Sequence, residues 1–361
     1  MSKLEKIEAL RGLAALYVVI HHSVANSILL FGLNVAYIFR FGEEAVILFF
    51  LLSGFVINHS FVKGKDKTFR TYFFKRATRI YIPLLIVMAL GYLMECYGAG
   101  EIVNAHPREL LLNLLMLQDI SDLKPNVLVD PYMHNSPLWS LSYEWWFYMF
   151  YFLVQKHVSS NANKDRLVFI VSIISALIYL YFPVFLPRLL MYMSIWWIGV
   201  ILSNKYINRE TINIKALAMP LSGNFIILLI CGYGVYRASM SGTLLGPGVH
   251  PVLEMRDSFS AMVLVAIAVF WKSLNWVWFD KMIKPFLFFA PISYVVYISH
   301  YYFVVSANYL AFMNNRLLEF AAYMLIMVIF AYIVEILIYP KMLKRFSGII
   351  IAPARSYKNT S

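Results

Sequence analysis

Residues 9–31 read ALRGLAALYVVIHHSVANSILLF, an apolar stretch with one formal charge, Arg11. It is continuous rather than alternating, and a helix crosses a bilayer in ~20 such residues. Arg11 and His22 stand in it with ten residues between them. At about 100° per residue they fall within about 20° of one helix face, three turns apart. Polar groups facing one way inside a spanning helix are costly unless something uses them. The stretch is also too long and too polar for a cleaved leader, and no small-residue cleavage site clearly follows it, so it reads as a retained first span.

The rest of the chain agrees. Of 361 residues, 61% are hydrophobic and 14% charged, with a mean hydropathy of +0.68. Soluble chains are about 25% charged. The class is an all-α polytopic membrane protein, because only helices satisfy the backbone along continuous apolar runs. Candidate spans are 9–31, 44–62, 80–97, 138–155, 167–185, 187–203, 216–236, 258–272, 285–312 and 320–339. The ninth contains Pro291 and is a candidate for a tilt or break. With the N-terminus in the cytoplasm, 24 lysines and arginines fall on the cytoplasmic side and 7 outside. That asymmetry supports ten spans with both termini cytoplasmic. It also accounts for the net charge of +12 without a nucleic-acid partner. The domain reading is a transmembrane unit over 1–340 and a short basic cytoplasmic tail over 341–361, set to lie on the membrane surface. Cys96 and Cys231 show no pairing pattern and read as packing residues.

Two outer segments are long. Within 98–137, ELLLNLLMLQDI (109–120) is apolar but too short to cross, which suggests a re-entrant or interfacial helix. Residues 237–257 carry Gly and Pro and read as an external loop.

The intramembrane polar residues carry the functional question. His22 lies ~16 Å beyond Arg11 along a helix, which puts it near mid-bilayer if Arg11 sits at the inner interface. Glu144, in SLSYEWWFY (140–148), lies ~9 Å into the fourth span from its other end, so the two can share a depth. Imidazole suits proton transfer near neutral pH, and a nearby carboxylate would orient the ring and stabilise its charged form. The alternative is a hydrogen-bonded packing histidine, and the neighbouring His21 reads as structural. Arg76 and Arg79, in KRATR (75–79), share a helix face and suit a phosphate-bearing ligand, although the positive-inside rule alone explains most of that cluster. His300, among Tyr297, Tyr301 and Tyr302, belongs either to an aromatic interfacial belt or to the lining of an acceptor site. Glu335 lies near the inner end of the tenth span, where an arginine partner is expected. The remaining histidines give no metal-ligand spacing.

These residues resemble the membrane-bound acyltransferase 3 family, whose members O-acylate bacterial surface carbohydrates. LEKIEALRGLAALYVVIHH (4–22) resembles its opening helix and EEAVILFFLLSGFVI (43–57) its second. FFKRATRIYIP (73–83) matches its basic pair, LWSLSYEWWFY (138–148) its acidic motif, and ISHYYF (298–303) a late histidine motif. The resemblance implies an acyl-CoA donor, usually acetyl-CoA, with no metal, and a carbohydrate acceptor. It implies a multi-pass protein of the cytoplasmic, or inner, membrane of bacteria. Arg76, Arg79 and Arg11 would hold the donor, His22 and Glu144 would be catalytic, and His300 and Tyr297 would meet the acceptor. Some relatives add a C-terminal SGNH domain, for which this chain ends too soon. The competing class is a proton-coupled transporter or flippase for a lipid-linked or anionic substrate, since intramembrane His and Glu also serve as proton relays.

Overall fold

The computed structural model describes residues 1–23, 29–30 and 33–351. They form a helical bundle with one two-residue antiparallel pair, β1 (Leu29–Leu30) and β2 (Leu33–Asn34). The helices are α1 (Lys3–Ser23), α2 (Gly42–Lys63), α3 (Phe69–Ala99), the short α4 (Pro107–Leu114), α5 (Trp139–His157), α6 (Asn161–Tyr181) and α7 (Phe185–Ile207). After these come α8 (Ala218–Met240), α9 (Val252–Ser273), α10 (Phe279–Ile283), α11 (Ser293–His300), α12 (Arg316–Tyr332) and α13 (Tyr339–Ile351).

Five helical segments among the described residues are long and apolar enough to cross a membrane: Ala36–Lys63, Phe69–Ala99, Phe185–Ile207, Lys215–Met240 and Arg316–Phe346. A sixth is made if Phe279–Phe288 and Ala290–Val305 act together, and that pair is bent by 49°. The bend falls in the expected ninth span, where Pro285 and Pro291 interrupt the helix. The other four expected spans coincide with α1, α5, α6 and α9, which are 21, 19, 21 and 22 residues long. These helices are less apolar because several of their polar side chains turn inward. Ser142, Ser172, Glu254 and Asp257 are all buried.

Small residues let the core helices approach closely. A Cβ on Gly54 of α2 would stand 2.0 Å from the Trp196 carbonyl oxygen of α7. One on Gly199 of α7 would stand 2.1 Å from that of Leu51. Hydrogen bonds then lock the crossing. Asn58, fully buried on α2, donates to Ser203 Oγ (3.1 Å) and Asn204 Oδ1 (2.7 Å) of α7 and accepts from Tyr151 of α5 (2.8 Å). Gly12 brings α1 against the Phe286 carbonyl, and Lys6 and the N-terminal ammonium clasp Asp280. The start of α3 is set by Thr68, which caps it, and by Asp66. Hydrogen bonds from Thr71, then Thr68, hold the Asp66 carboxyl below its ordinary pKa.

Three expectations change. The first helix runs from Lys3 to Ser23, and residues 29–30 are extended. The Ser23 hydroxyl bonds back to the Val19 carbonyl (2.6 Å), as Ser does near helix ends. His22 therefore stands at the end of α1. In ELLLNLLMLQDI only the first half is helical. Met116 turns to φ 56°, and Gln118 and Asp119 beyond it are fully buried by polar partners. The basic tail begins inside α13, and residues 352–361 lie outside the described residues.

Replacing Gly199 by valine is expected to lower stability by about 1–3 kcal/mol, because backbone on α2 has no room to yield. Gly98→Ala, whose new methyl group meets nothing within 4 Å, is the neutral control. Thermal unfolding of the detergent-solubilised protein, followed by helical circular dichroism, compares the two.

Candidate active site

Two chambers lie along one face of α1. The first is a cavity of about 200 Å³ lined by Arg11, Arg76, Arg79, Glu144, Tyr148 and Tyr294, among others. Helical spacing builds its walls. Ser140, Glu144 and Tyr148 succeed one another at i, i+4, i+8 on α5, and Arg76 and Arg79 at i, i+3 on α3. The arginines are not equivalent. Arg79 pairs with the buried Glu335, its guanidinium carbon 5.3 Å from the Tyr294 ring centre and 5.4 Å from that of Tyr339. Glu335 sits in a π-helical turn, Ile333–Ile338. Arg11 pairs with Glu8 (3.0 Å). Among the described residues, Arg76 forms no ion pair: it donates to the Ser60 hydroxyl at 3.5 Å, its guanidinium carbon lies 5.8 Å from the Tyr72 ring centre, and its buried Nε has no hydrogen-bond partner. It is the guanidinium best able to take a new anion. The Glu144 carboxylate accepts from Ser53 (2.7 Å) and from Tyr148, and Ser53 in turn accepts from Trp196 Nε1 (3.2 Å).

The second chamber, about 700 Å³, is lined by His21, His22, Arg40, Glu43, Trp139 and Arg256, among others. His22 is exposed within it. Its ring centre lies 5.3 Å from that of His300. His300 is fully buried, with Nδ1 2.7 Å from the Tyr297 carbonyl. A carbonyl only accepts, so Nδ1 carries the proton and Nε2, which has no other partner, presents a lone pair. His21 donates from Nδ1 to the Phe39 carbonyl (2.6 Å) and packs where Gly42 leaves space for its ring, as suits a structural residue. Arg256 holds Glu44 by two hydrogen bonds of 2.7 Å.

The structure thus brings Arg11, Arg76, Arg79 and Glu144 together, and separately His22, His300 and Tyr297. The expected meeting of His22 and Glu144 is not made. They line different chambers, and the ring beside His22 is His300. Tyr297, on α11, lines both chambers.

One feature escaped the sequence. Asp119 is buried with Lys124 (2.9 Å), Arg188 (2.9 Å) and the Tyr143 hydroxyl (2.6 Å), and Lys124 Nζ lies 3.6 Å from the centre of the Trp139 ring. This cluster pins the 98–137 segment over α5 and α7, and so holds Ile120, Leu123 and Trp139 in the wall of the histidine chamber. Arg188 and Lys124 are among the seven basic residues that the charge asymmetry assigns to the outer side. The available signal was Arg188 inside FLPRLLMYMS (185–194), an arginine with no polar neighbour in sequence. Among the described residues, no group of three or more His, Cys, Asp or Glu is arranged to hold a metal ion, and both cysteines are free.

Over residues 4–336 the chain matches the family described as "Acyltransferase domain". It is similar to the "Putative acetyltransferase ORF330" of Acidianus two-tailed virus, with 32% identity over 199 residues, 54% of each chain. The chain thus spans about half the length of that relative. No solved structure matches it.

The two α3 arginines are expected to separate in their effects. Arg79→Ala strands a buried carboxylate and should cost about 3 kcal/mol of stability. The double variant Arg79→Ala, Glu335→Gln should recover much of this. Arg76→Ala, which breaks no ion pair, should unfold with the unsubstituted protein. Thermal melts of the four proteins check this.

Proposed function

This chain belongs to the acyltransferase 3 family, and on that footing we propose that it transfers an acyl group from acyl-CoA to a hydroxyl of a cell-surface glycan or its precursor. The donor is taken as acetyl-CoA and the site of action as the cytoplasmic (inner) membrane. The ten long helical segments are read as ten spans with the N-terminus in the cytoplasm, in line with the lysine and arginine asymmetry. The transmembrane acyltransferase unit is 1–340 and the basic tail 341–361. The observation that carries the reading is the division of labour between the two chambers. Arg11, Arg76 and Arg79 line one, the exposed imidazole of His22 faces the other, where Arg256 is held by Glu44, and both lie along α1.

Arg76, with Arg11 and Arg79, holds the phosphates of the donor. The arm bearing the thioester runs past Glu144, whose fixed carboxylate accepts hydrogen bonds from the arm's amide groups. Glu144 therefore serves the donor side rather than orienting His22. The acceptor enters the histidine chamber, where charged and aromatic side chains suit a sugar. His22 takes the proton of the attacking hydroxyl as its oxygen bonds the acyl carbon. The carbon–sulfur bond breaks, and the departing thiolate takes the proton back from the imidazolium. His300, fixed by the Tyr297 carbonyl, offers its lone pair beside His22 and stabilises the charged ring. The close walls limit loss of thioester to water.

His22→Ala is expected to lower transfer by about 10²- to 10⁴-fold, with insertion, folding and donor affinity kept. Arg76→Ala should raise the donor KM with little change in kcat. The assay is release of CoA thiol by the purified protein, with mass spectrometry of glycans from cells carrying each variant. Full O-acylation by His22→Ala would overturn the scheme.

A further inference from the structure

Tyr297 is the one residue, among the described residues, that lines both chambers. Its ring is held from two sides. Its hydroxyl is hydrogen-bonded to Ser140 Oγ (2.7 Å), itself in the wall of the arginine chamber, and its ring centre lies 5.5 Å from that of Phe49. Tyr297 is buried, 8% exposed, between the two chambers it lines. A single bond between neutral hydroxyls is a weak latch, and turning the ring about χ1 breaks no other side-chain hydrogen bond, only its packing on Phe49 and His300. The same residue's carbonyl holds Nδ1 of His300, the ring next to His22. Whatever shifts residue 297 therefore also shifts the group beside the proposed base.

We propose that Tyr297 is the door between donor and acceptor chambers, latched on Ser140, and that it decides whether the acyl group goes to the acceptor or to water. This rests on the acyl-transfer reading above. With the door shut, a thioester in the arginine chamber is screened from water in the histidine chamber. With it open, the acyl carbon meets His22 and whichever hydroxyl is there. For an acceptor, that oxygen bonds the acyl carbon, the carbon–sulfur bond breaks, and the hydroxyl proton ends on the thiol. For water the same bonds form and break, and the products are a free acid and the thiol. The latch therefore suppresses hydrolysis while no acceptor is bound. Tyr297 acts as a positioning and partitioning residue, and the chemistry stays with His22.

Two measurements test this. In a chain with Cys96 and Cys231 changed to alanine, Val56→Cys places a thiol in the wall of the arginine chamber. A membrane-impermeant maleimide is offered from the face onto which the histidine chamber opens. Labelling should be slow with Tyr297 and at least tenfold faster with Tyr297→Ala. Tyr297→Phe and Ser140→Ala should fall between and match each other, since each removes the same latch. Equal labelling with Tyr297 and Tyr297→Ala would overturn the door. The second measurement is CoA release without acceptor. Tyr297→Phe should raise it several-fold while the fraction of acyl groups reaching the acceptor falls. A merely structural role would lower both together, and that result would overturn the proposal. If no protein, unsubstituted or variant, releases CoA, the acyl-transfer reading fails, and the labelling still decides whether Tyr297 separates the chambers.

Discussion

A charge enclosed by apolar helices must be paired or put to use, and that constraint sorts nearly every polar residue of this chain. Asp119 holds Lys124 and Arg188, Glu335 holds Arg79, and Glu44 holds Arg256. Each pair ties elements that are distant in sequence. Asp119 joins the irregular segment after α4 to α7, and Glu335 joins the end of the bundle to α3. What remains after the pairing is the short set of groups with capacity left over. Of the buried polar atoms with no hydrogen-bond partner, the Arg76 Nε belongs to a residue in the wall of the arginine chamber and the His300 Nε2 belongs to the ring beside the exposed imidazole of His22. Capacity left over at a chamber wall is where chemistry is available.

α1 translates one number into this arrangement. His22 lies eleven residues beyond Arg11, a step that brings the chain back to the same helix face. One face of one helix therefore serves both chambers, with the arginine at one end and the imidazole at the other. Tyr297 lines both. The spacing matters because it fixes the distance over which any group delivered to Arg11 and Arg76 must travel to reach His22. An insertion of one residue would rotate His22 by about 100° and turn it out of its chamber.

Much of this was legible beforehand, and the reason is periodicity. Long apolar runs announce helices, so each expected span overlaps helix, the ninth as a bent pair, while five or six of the described segments are long and apolar enough to cross a membrane, and Arg76 and Arg79 do share a wall. An arginine partner for Glu335 also followed from cost alone. The first span was overextended because an apolar run is not the same as a helix: α1 ends at Ser23, whose hydroxyl bonds back to the Val19 carbonyl. The His22–Glu144 meeting was misread for a different reason. Rise per residue gives depth within one helix, but it says nothing about which helix stands opposite or what lies between. Here Tyr297, from a helix late in the chain, intervenes, and His300 from the same helix takes the place next to His22. Asp119 was hidden because its partners come from three separate segments, and no local pattern reports a contact of that kind.

The sizes of the chambers bear on the proposed donor. Ordinary ligand pockets hold ~300–1,000 Å³, and the arginine chamber, at about 200 Å³, is below that range while the histidine chamber, at about 700 Å³, is within it. A nucleotide does not fit the smaller space, but a slender chain does. On the proposed function, the phosphates stay at the mouth with Arg76, near the basic stretch 63–79, and only the arm enters. The acceptor, bulkier and more polar, has the roomy chamber with its paired charges and aromatic rings. On the proposed function, a narrow path for the thioester and a wide one for the alcohol favour transfer over hydrolysis only while the two stay separate. The physical demand on the wall between them is therefore as strict as the demand on the base itself.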